Sequence, residues 1–170
     1  MRPVRVPRAL RVVVRAARRR RPVSRAEWAR WVRGLGGQDR MTVLRGTVDG
    51  AVVFTTLARR GLRPLVRERA DLPEVDPRQA RRIAEAVDAG LGVLPVKSTC
   101  LRRSVTLLRE LQRQDSTAAL HIGVRPGPAG IEAHAWIEAA GEVVNDDPQV
   151  TASYVELAAG DAERLLPKFA

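Results

Sequence analysis

The spacing of hydrophobic and polar residues changes once along the chain, close to Asp115. Before this point apolar residues recur every three to four positions, as they do on the buried face of a helix. The main helices predicted are about 42–60, 77–89 and 100–113. After it apolar and polar residues alternate, which is typical of strands. The strands predicted are 118–124, 131–139 and 142–145, with a loop over 125–130. The order of elements predicts an α+β fold in which the 100–113 helix packs on a small antiparallel sheet.

Further helices are predicted near both ends of the chain. One spans about 9–17, carries arginines on one face and ends before Pro22. Ser24 and Glu27 match a capping box, which predicts that the next helix begins there. The tail is predicted to be helical over about 154–166.

The only cysteine, Cys100, falls in the first turn of a predicted helix. Ser98 and Thr99 precede it and are residues that cap helices. Unpaired backbone N–H groups and the positive end of the helix dipole stabilise a thiolate there, so the pKa of Cys100 is expected to be low. A buried structural thiol is the common alternative, but the cap and the neighbouring Arg102 and Arg103 favour a nucleophile.

His134 is the best candidate for a base acting on this thiol. Strand alternation predicts that His134 faces away from the hydrophobic core, so packing alone does not account for it. The face shared with His134 holds Glu132, Trp136 and Glu138, opposite Ile131, Ala133, Ala135 and Ile137. The other histidine, His121, is expected to have a structural role or a place at the rim of the site.

The carboxylate that would orient His134 depends on the register of a hairpin. A three-residue turn places Asp146 opposite His134, whereas a two-residue turn at Ala140-Gly141 places Asp147 there. The residues alone leave both registers open. Both acids also lie just before a proline, where a simple turn would explain them.

Composition and charge narrow the classes of function. Hydrophobic residues make up 45% and charged residues 29% of the 170 residues, which is ordinary for a globular domain. Residues 1–33 hold twelve arginines and one acid, so the net charge of +11 lies in this segment, while the remainder is neutral. A nucleic-acid-binding protein is one interpretation. The neutral body and the lack of a known reading motif argue against it, and we expect the basic segment to contact a protein partner or an acidic peptide instead.

The sequence also predicts that the protein has no transmembrane segment, disulfide, metal or cofactor. No apolar run approaches the roughly 18 residues of a membrane span, so no transmembrane segment is expected. A single cysteine excludes an intrachain disulfide and indicates a reducing compartment, which predicts a cytoplasmic location. One cysteine and two histidines without ligand spacing predict no metal site, and no cofactor is expected.

Four segments taken together resemble a known family, the leader-peptidase component of lasso-peptide biosynthesis, whose members are transglutaminase-like cysteine proteases. The segments are Cys100–Ser104, Leu120–Arg125, Ala133–Glu138 and Val143–Asp146. The resemblance covers about residues 76–147. It implies a papain-like or transglutaminase-like core over 76–170 after a basic helical segment over 1–75, expected to form one continuous domain.

The resemblance also implies roles for the site residues. Cys100 would be the nucleophile, His134 the general base and then acid, and Asp146 the orienting carboxylate. The same arrangement could transfer an acyl group, as in a transglutaminase. The residues do not separate hydrolysis from transfer, because both pass through an acyl-enzyme.

The substrate implied by this family is a ribosomally made precursor peptide, cut between its leader and its core. Such proteins work with a leader-recognition protein, followed by a ring-closing cyclase. We expect the leader-recognition protein to be a separate chain, because the strands of its fold have no counterpart before residue 75.

Overall fold

The computed structural model describes residues 25–66, 71–128 and 130–158. The chain divides into two compact units, 1–34 and 35–170. In the first unit the structure describes helix α1 (Arg25–Gly34). The predicted 9–17 helix, the capping residue Ser24 and the tail from 159 onward lie outside the described residues.

Three longer helices begin the second unit: α2 (Gly37–Arg60), α3 (Pro77–Leu91) and α4 (Cys100–Arg113). The predicted α4 is confirmed at both ends, and α2 begins earlier than predicted. Asp76 caps α3, because its side chain accepts hydrogen bonds from the backbone N–H groups of the first turn. Helix α2 packs against α3 and α4, so residues 37–60 belong to the same unit as the segment that follows residue 76.

Two glycines that weaken the helix propensity of this region let α2 and α3 cross closely. A Cβ on Gly46 would lie 3.1 Å from the Cα of Val87, and a Cβ on Gly90 would overlap the carbonyl oxygen of Val43. The hydroxyl of Thr47 also donates to the Gly90 carbonyl across the crossing, at 3.0 Å. These glycines are therefore required by the packing of one helix on another.

A four-stranded antiparallel sheet follows, in the order β3-β2-β1-β4. Its strands are β1 (Ala119–Gly127), β2 (Gly130–Ala139), β3 (Glu142–Val143) and β4 (Val155–Glu156), and the short helix α5 (Val150–Ser153) precedes β4. The predicted α+β fold, with helices first and then an antiparallel sheet, is confirmed. In the part of the chain described here, no helix combines the length and apolar character needed to cross a bilayer.

Two local predictions after residue 115 are wrong. The expected loop over 125–130 is largely strand, because β1 and β2 stay paired as far as Gly127 and Gly130 and an ion pair joins Arg125 to Glu132 across them. The start of the expected tail helix is instead β4, which pairs with β1. Pairing at this edge satisfies backbone groups of β1 that an isolated helix would leave open.

Helix α4 connects the helical layer to the sheet. It contributes Leu107, Leu108 and Leu111 to one buried cluster and Leu101 and Val105 to another. Both clusters include side chains from β2, on the face of the sheet that α4 covers. The core thus places the start of α4 beside the middle of β2.

Strand alternation alone indicated that the opposite face of β2 would be exposed. In the structure this face is covered. Trp136 is only 1% exposed there and packs with Val143, Val150 and Tyr154. The segment after β3 folds back over this face and forms a second, smaller core. His134 lies at the edge of that core, half-buried rather than exposed.

Candidate active site

Cys100 is the first residue of α4, with Thr99 as the N-cap. The Thr99 hydroxyl accepts a hydrogen bond from the N–H of Arg102, at 3.4 Å, and its carbonyl accepts one from Arg103, at 3.0 Å. The thiol is half-buried and receives backbone hydrogen bonds from Leu101 and Ala135. The local sequence therefore builds a helix start that supports a negatively charged sulfur.

His134 links Cys100 to Asp146. Its Nε2 lies 2.7 Å from Oδ2 of Asp146, and its side chain is hydrogen-bonded to the thiol of Cys100. Because Nε2 is used by the carboxylate, Nδ1 is the ring nitrogen available to the sulfur. The structure thus brings together all three residues predicted as the site.

The expected pairing of His134 with Asp146 is present, and Asp147 points elsewhere. One carboxylate oxygen of Asp147 accepts a hydrogen bond from the N–H of Gln149, at 2.9 Å, which supports the turn before α5. The N–H of Asp147 donates to Oδ1 of Asp146, at 2.8 Å, and helps to hold that carboxylate.

Of the two hairpin turns that the sequence left open, the structure has the one that favours Asp147. Ala140 and Gly141 form a two-residue turn, with φ of 47° and 75°, instead of the three-residue turn. Continued without a break, that register would place Asp147 opposite His134. The register does not continue, because β3 ends at Val143.

Asn145 explains how the ladder ends, and the sequence analysis assigned it no such role. Its Oδ1 accepts a hydrogen bond from the backbone N–H of Ile137, at 2.8 Å, and its Nδ2 donates to the Ser104 hydroxyl, at 2.9 Å. The Ser104 hydroxyl in turn donates to the carbonyl of Ala135, at 3.0 Å. The Asn145 side chain thus replaces a backbone carbonyl, and the chain bends so that Asp146 reaches His134.

A sequence signal for this network existed. Ser104 is a polar residue on the otherwise apolar inner face of α4, and it is fully buried. A buried hydroxyl needs a hydrogen-bond partner, and an asparagine directly before the candidate acids is a suitable one. The partner itself could be identified only from the folded chain.

Arg103 ties α3 to the same site. Its guanidinium makes a bidentate contact with Asp88, at 2.7 and 2.6 Å, and donates to the carbonyl of Asn145, at 3.3 Å. Its positive charge also acts on Cys100 and Asp146. Arg103 therefore favours the charged forms of the thiol and the carboxylate.

The electrostatics favour a charge-separated pair of Cys100 and His134. Burial alone would raise the pKa of Cys100. The hydrogen bond and positive charge of His134, together with the backbone hydrogen bonds, outweigh burial and lower that pKa. Burial likewise opposes a charged His134, but Asp146 and the thiolate raise its pKa to about 9. A thiolate beside an imidazolium is the expected state at neutral pH.

The carboxylate of Asp146 keeps its negative charge in this setting. Burial would raise its pKa, but the hydrogen bond from His134 and that from the backbone of Asp147 lower it overall. The charge of Arg103 acts in the same direction. Asp146 can therefore stabilise a charged imidazole throughout the neutral range.

His121 is on the same side of the sheet but has different neighbours. Its Nδ1 lies 2.6 Å from Oε1 of Glu156, and its Nε2 lies 3.7 Å from Oε2 of Glu138. Both ring nitrogens face carboxylates, and the ring stacks on Trp136 with centroids 5.7 Å apart. These contacts agree with the structural role expected for His121.

A metal site requires several ligating side chains that converge on one point. Within 25–66, 71–128 and 130–158, no group of three or more histidine, cysteine, aspartate or glutamate side chains converges as metal ligands. The arrangement around Cys100 is that of a thiol nucleophile, a base and an orienting carboxylate.

Comparison with known proteins agrees with the fold. A family model of the transglutaminase-like superfamily matches residues 44–159, and the chain belongs to that superfamily. Over 54 residues the chain is 43% identical to the microcin J25-processing protein McjB of Escherichia coli. This match covers 32% of the chain and 25% of the relative, so it spans about a quarter of that protein's length. No solved structure matches the chain significantly.

Proposed function

We propose that this protein is a cysteine peptidase that removes the leader from a ribosomally made lasso precursor peptide before ring closure. The observation that carries the proposal is the hydrogen-bonded series Cys100, His134 and Asp146 at the start of a helix. The substrate class is supported by the partial similarity to a microcin J25-processing protein. Cytoplasmic action is part of the proposal, since a reactive thiol persists in a reducing compartment.

The mechanism begins with attack of the Cys100 thiolate on the carbonyl carbon of the last leader residue. Backbone N–H groups at the start of α4 stabilise the negative oxygen that forms. The His134 imidazolium donates its proton to the departing amine of the core peptide, and a thioester to Cys100 remains.

Hydrolysis of the thioester completes the cycle. Neutral His134 takes a proton from water, and the resulting hydroxide attacks the thioester carbonyl. The leader leaves with a free carboxylate, the sulfur departs as thiolate, and His134 is again protonated. Asp146 stabilises the imidazolium at each stage in which it forms.

An acyl transferase is the second candidate, because the superfamily to which the chain belongs is named for transglutaminases. In that reaction an amine, rather than water, attacks the thioester on Cys100. The steps before the thioester are the same, so only the acceptor distinguishes the two activities.

A separate leader-recognition protein completes the proposed reaction, with a cyclase consuming the released core. Tethering the precursor beside Cys100 would raise the effective concentration of the scissile bond, so cleavage should be faster with the partner present.

The test uses the full chain, a synthetic precursor peptide and mass spectrometry, with and without a candidate leader-recognition protein. We expect cleavage at the leader–core junction by the wild type and none by Cys100→Ala. Adding a primary amine should leave the products unchanged, whereas an amine adduct on the leader would identify a transferase. Full-speed cleavage without any partner would refute the requirement for recognition, and cleavage by Cys100→Ala would refute the peptidase mechanism.

A further inference from the structure

Aromatic rings surround His134 on the face of the sheet opposite α4. The His134 ring lies 5.1 Å from that of Tyr154 and 6.4 Å from that of Trp136, measured between centroids, with interplanar angles of 23° and 20°. Trp136 is fully buried and forms part of the small core on this face, whereas Tyr154 is half-buried at the junction of α5 and β4. Tyr154 is therefore the ring that covers His134 from the solvent side.

The strand beside His134 is built to accept Tyr154. Gly123 is the β1 residue paired with His134, and a Cβ there would lie 2.7 Å from the Cβ of Tyr154 and 3.0 Å from the ring of Trp136. Such contacts are too short for any side chain. The glycine thus leaves the space in which Tyr154 and Trp136 meet next to His134.

Arg125 holds the same ring from a neighbouring position on β1. Its guanidinium carbon lies 4.5 Å from the centroid of the Tyr154 ring, and its side chain is fixed by Glu132 at 2.9 and 2.8 Å. His121, Gly123 and Arg125 share one face of β1, so the motif of this strand forms the support around the aromatic cluster.

We infer that Tyr154 is a positioning residue for His134, whose ring holds the imidazole in the plane that joins Cys100 to Asp146. The aromatic face also attracts the positive charge that His134 carries in the ion pair. The inference rests on the proposed catalytic role of His134, although its test does not require a peptide substrate. The ring makes these contacts, so phenylalanine should replace tyrosine.

Several charged groups face the Cys100–His134 pair or the Tyr154 ring. Asp146 approaches His134 from the segment after β3, and Arg103 lies on α4. Arg125 and Glu132, on β1 and β2, act on Tyr154. None of the Tyr154 variants removes one of these charges.

The experiment measures the rate at which iodoacetamide alkylates Cys100, the only cysteine, as a function of pH. In Tyr154→Leu the imidazole loses its stacking partner, so the pH midpoint of alkylation should rise by about one unit, and the rate at pH values well below that midpoint should fall about tenfold. Tyr154→Phe should stay within about twofold of the wild type. Val155→Ala, a change at the exposed neighbouring residue, is the matched control and should have no effect.

Precursor cleavage supplies a second reading of the same variants. Tyr154→Leu should lower kcat about tenfold with little change in KM, and Tyr154→Phe should restore it. A wild type that alkylates normally but cleaves no precursor would refute the proposed peptidase activity and leave the positioning role standing. Normal cleavage together with normal alkylation in Tyr154→Leu would overturn the positioning role of Tyr154 and leave the proposed peptidase activity standing.

Circular dichroism shows whether Tyr154→Leu is folded. If it is not, two further measurements still test the inference. Tyr154→Met fills the same space without an aromatic face and should reproduce the effect of leucine. In the wild type, NMR signals of the His134 ring protons should lie upfield of those of a free histidine, because the Tyr154 ring stacks on them. Unshifted signals would overturn the inference without any substitution.

Discussion

Two histidines lie on the same face of neighbouring strands, and they have much in common. His134 and His121 both stack on Trp136, and each makes a short contact with a carboxylate. Asp146 lies 2.7 Å from His134, and Glu156 lies 2.6 Å from His121. A histidine paired with a carboxylate is therefore not sufficient to define the site.

What separates the two is the use of the second ring nitrogen. His121 has a carboxylate near each nitrogen, since Glu138 lies opposite Glu156 across the ring. His134 uses one nitrogen for Asp146 and keeps the other for Cys100. The site lies at His134 because helix α4 begins beside it, with Cys100 as the first residue of the helix.

The largest difference in cleavage rate is expected between the alanine variants of the two histidines. His134→Ala should reduce precursor cleavage by about a thousandfold or more, because the thiol loses both its base and its counter-charge. His121→Ala should reduce it less than about fivefold, since the stacking on Trp136 and the carboxylate contacts that are lost do not involve Cys100. The measurement is kcat/KM for leader removal, and equal losses in both variants would show that the comparison is wrong.

Removing the carboxylates should give the next largest difference. Asp146→Ala should reduce kcat/KM by about a hundredfold, because the imidazolium is no longer stabilised or oriented. Glu156→Ala should change it less than about threefold, since that side chain is 57% exposed and such ion pairs contribute little. Asp147→Ala, at the adjacent position, serves as the control and should also be mild. A larger loss from Asp147→Ala than from Asp146→Ala would reject the assigned pair.

A smaller effect is expected where the Asp146 segment is anchored. Asn145→Ala leaves the N–H of Ile137 without an acceptor, so the free energy of unfolding should fall by about 1–3 kcal/mol. Activity should fall about tenfold, because Asp146 is held less firmly in reach of His134. Urea denaturation and cleavage assays measure the two effects. An unchanged stability would mean that the bend in this segment does not depend on the Asn145 side chain.

The pH dependence gives the mildest test, since it changes no residue. His134 has a pKa raised to about 9, so its proton is present at neutral pH and is lost as pH rises through 9. Cleavage needs this proton for the departing amine and should fall to about half near pH 9. Alkylation of Cys100 needs only the thiolate and should not fall there. A parallel decline of both rates would contradict the assignment of His134 as the acid.

Much of the catalytic half of this protein follows from local sequence. The first turn of α4 requires Thr99 as a cap and apolar residues at helical spacing, and both lie within a few residues of Cys100. The strand that carries His134 follows from alternation over about ten residues. These features depend on neighbours in sequence, and the sequence therefore predicted α4 and β2 correctly and placed Cys100 and His134 on them.

Other features depend on residues that meet only after folding. His134 is paired with Asp146 although the hairpin has the two-residue turn. The actual cause is Asn145, whose side chain bonds to Ser104 on a helix 41 residues earlier in the chain. The hydrophobic pattern and the turn length cannot predict this contact. In it, the Asn145 side chain takes the place of a backbone carbonyl as the acceptor for the N–H of Ile137.

The same limit explains the remaining differences. Trp136 lies on a face that alternation marks as polar, and it is buried because α5 and Tyr154 cover it. Gly46 and Gly90 lower the helix propensity of their segments. The fold needs glycine at both positions because α2 and α3 cross there without room for a side chain. The sequence by itself identified Cys100 and His134 as candidates and determined the elements on which they lie, α4 and β2. The tertiary structure alone decided which faces are covered and which carboxylate reaches His134, because both depend on packing between segments far apart in the chain.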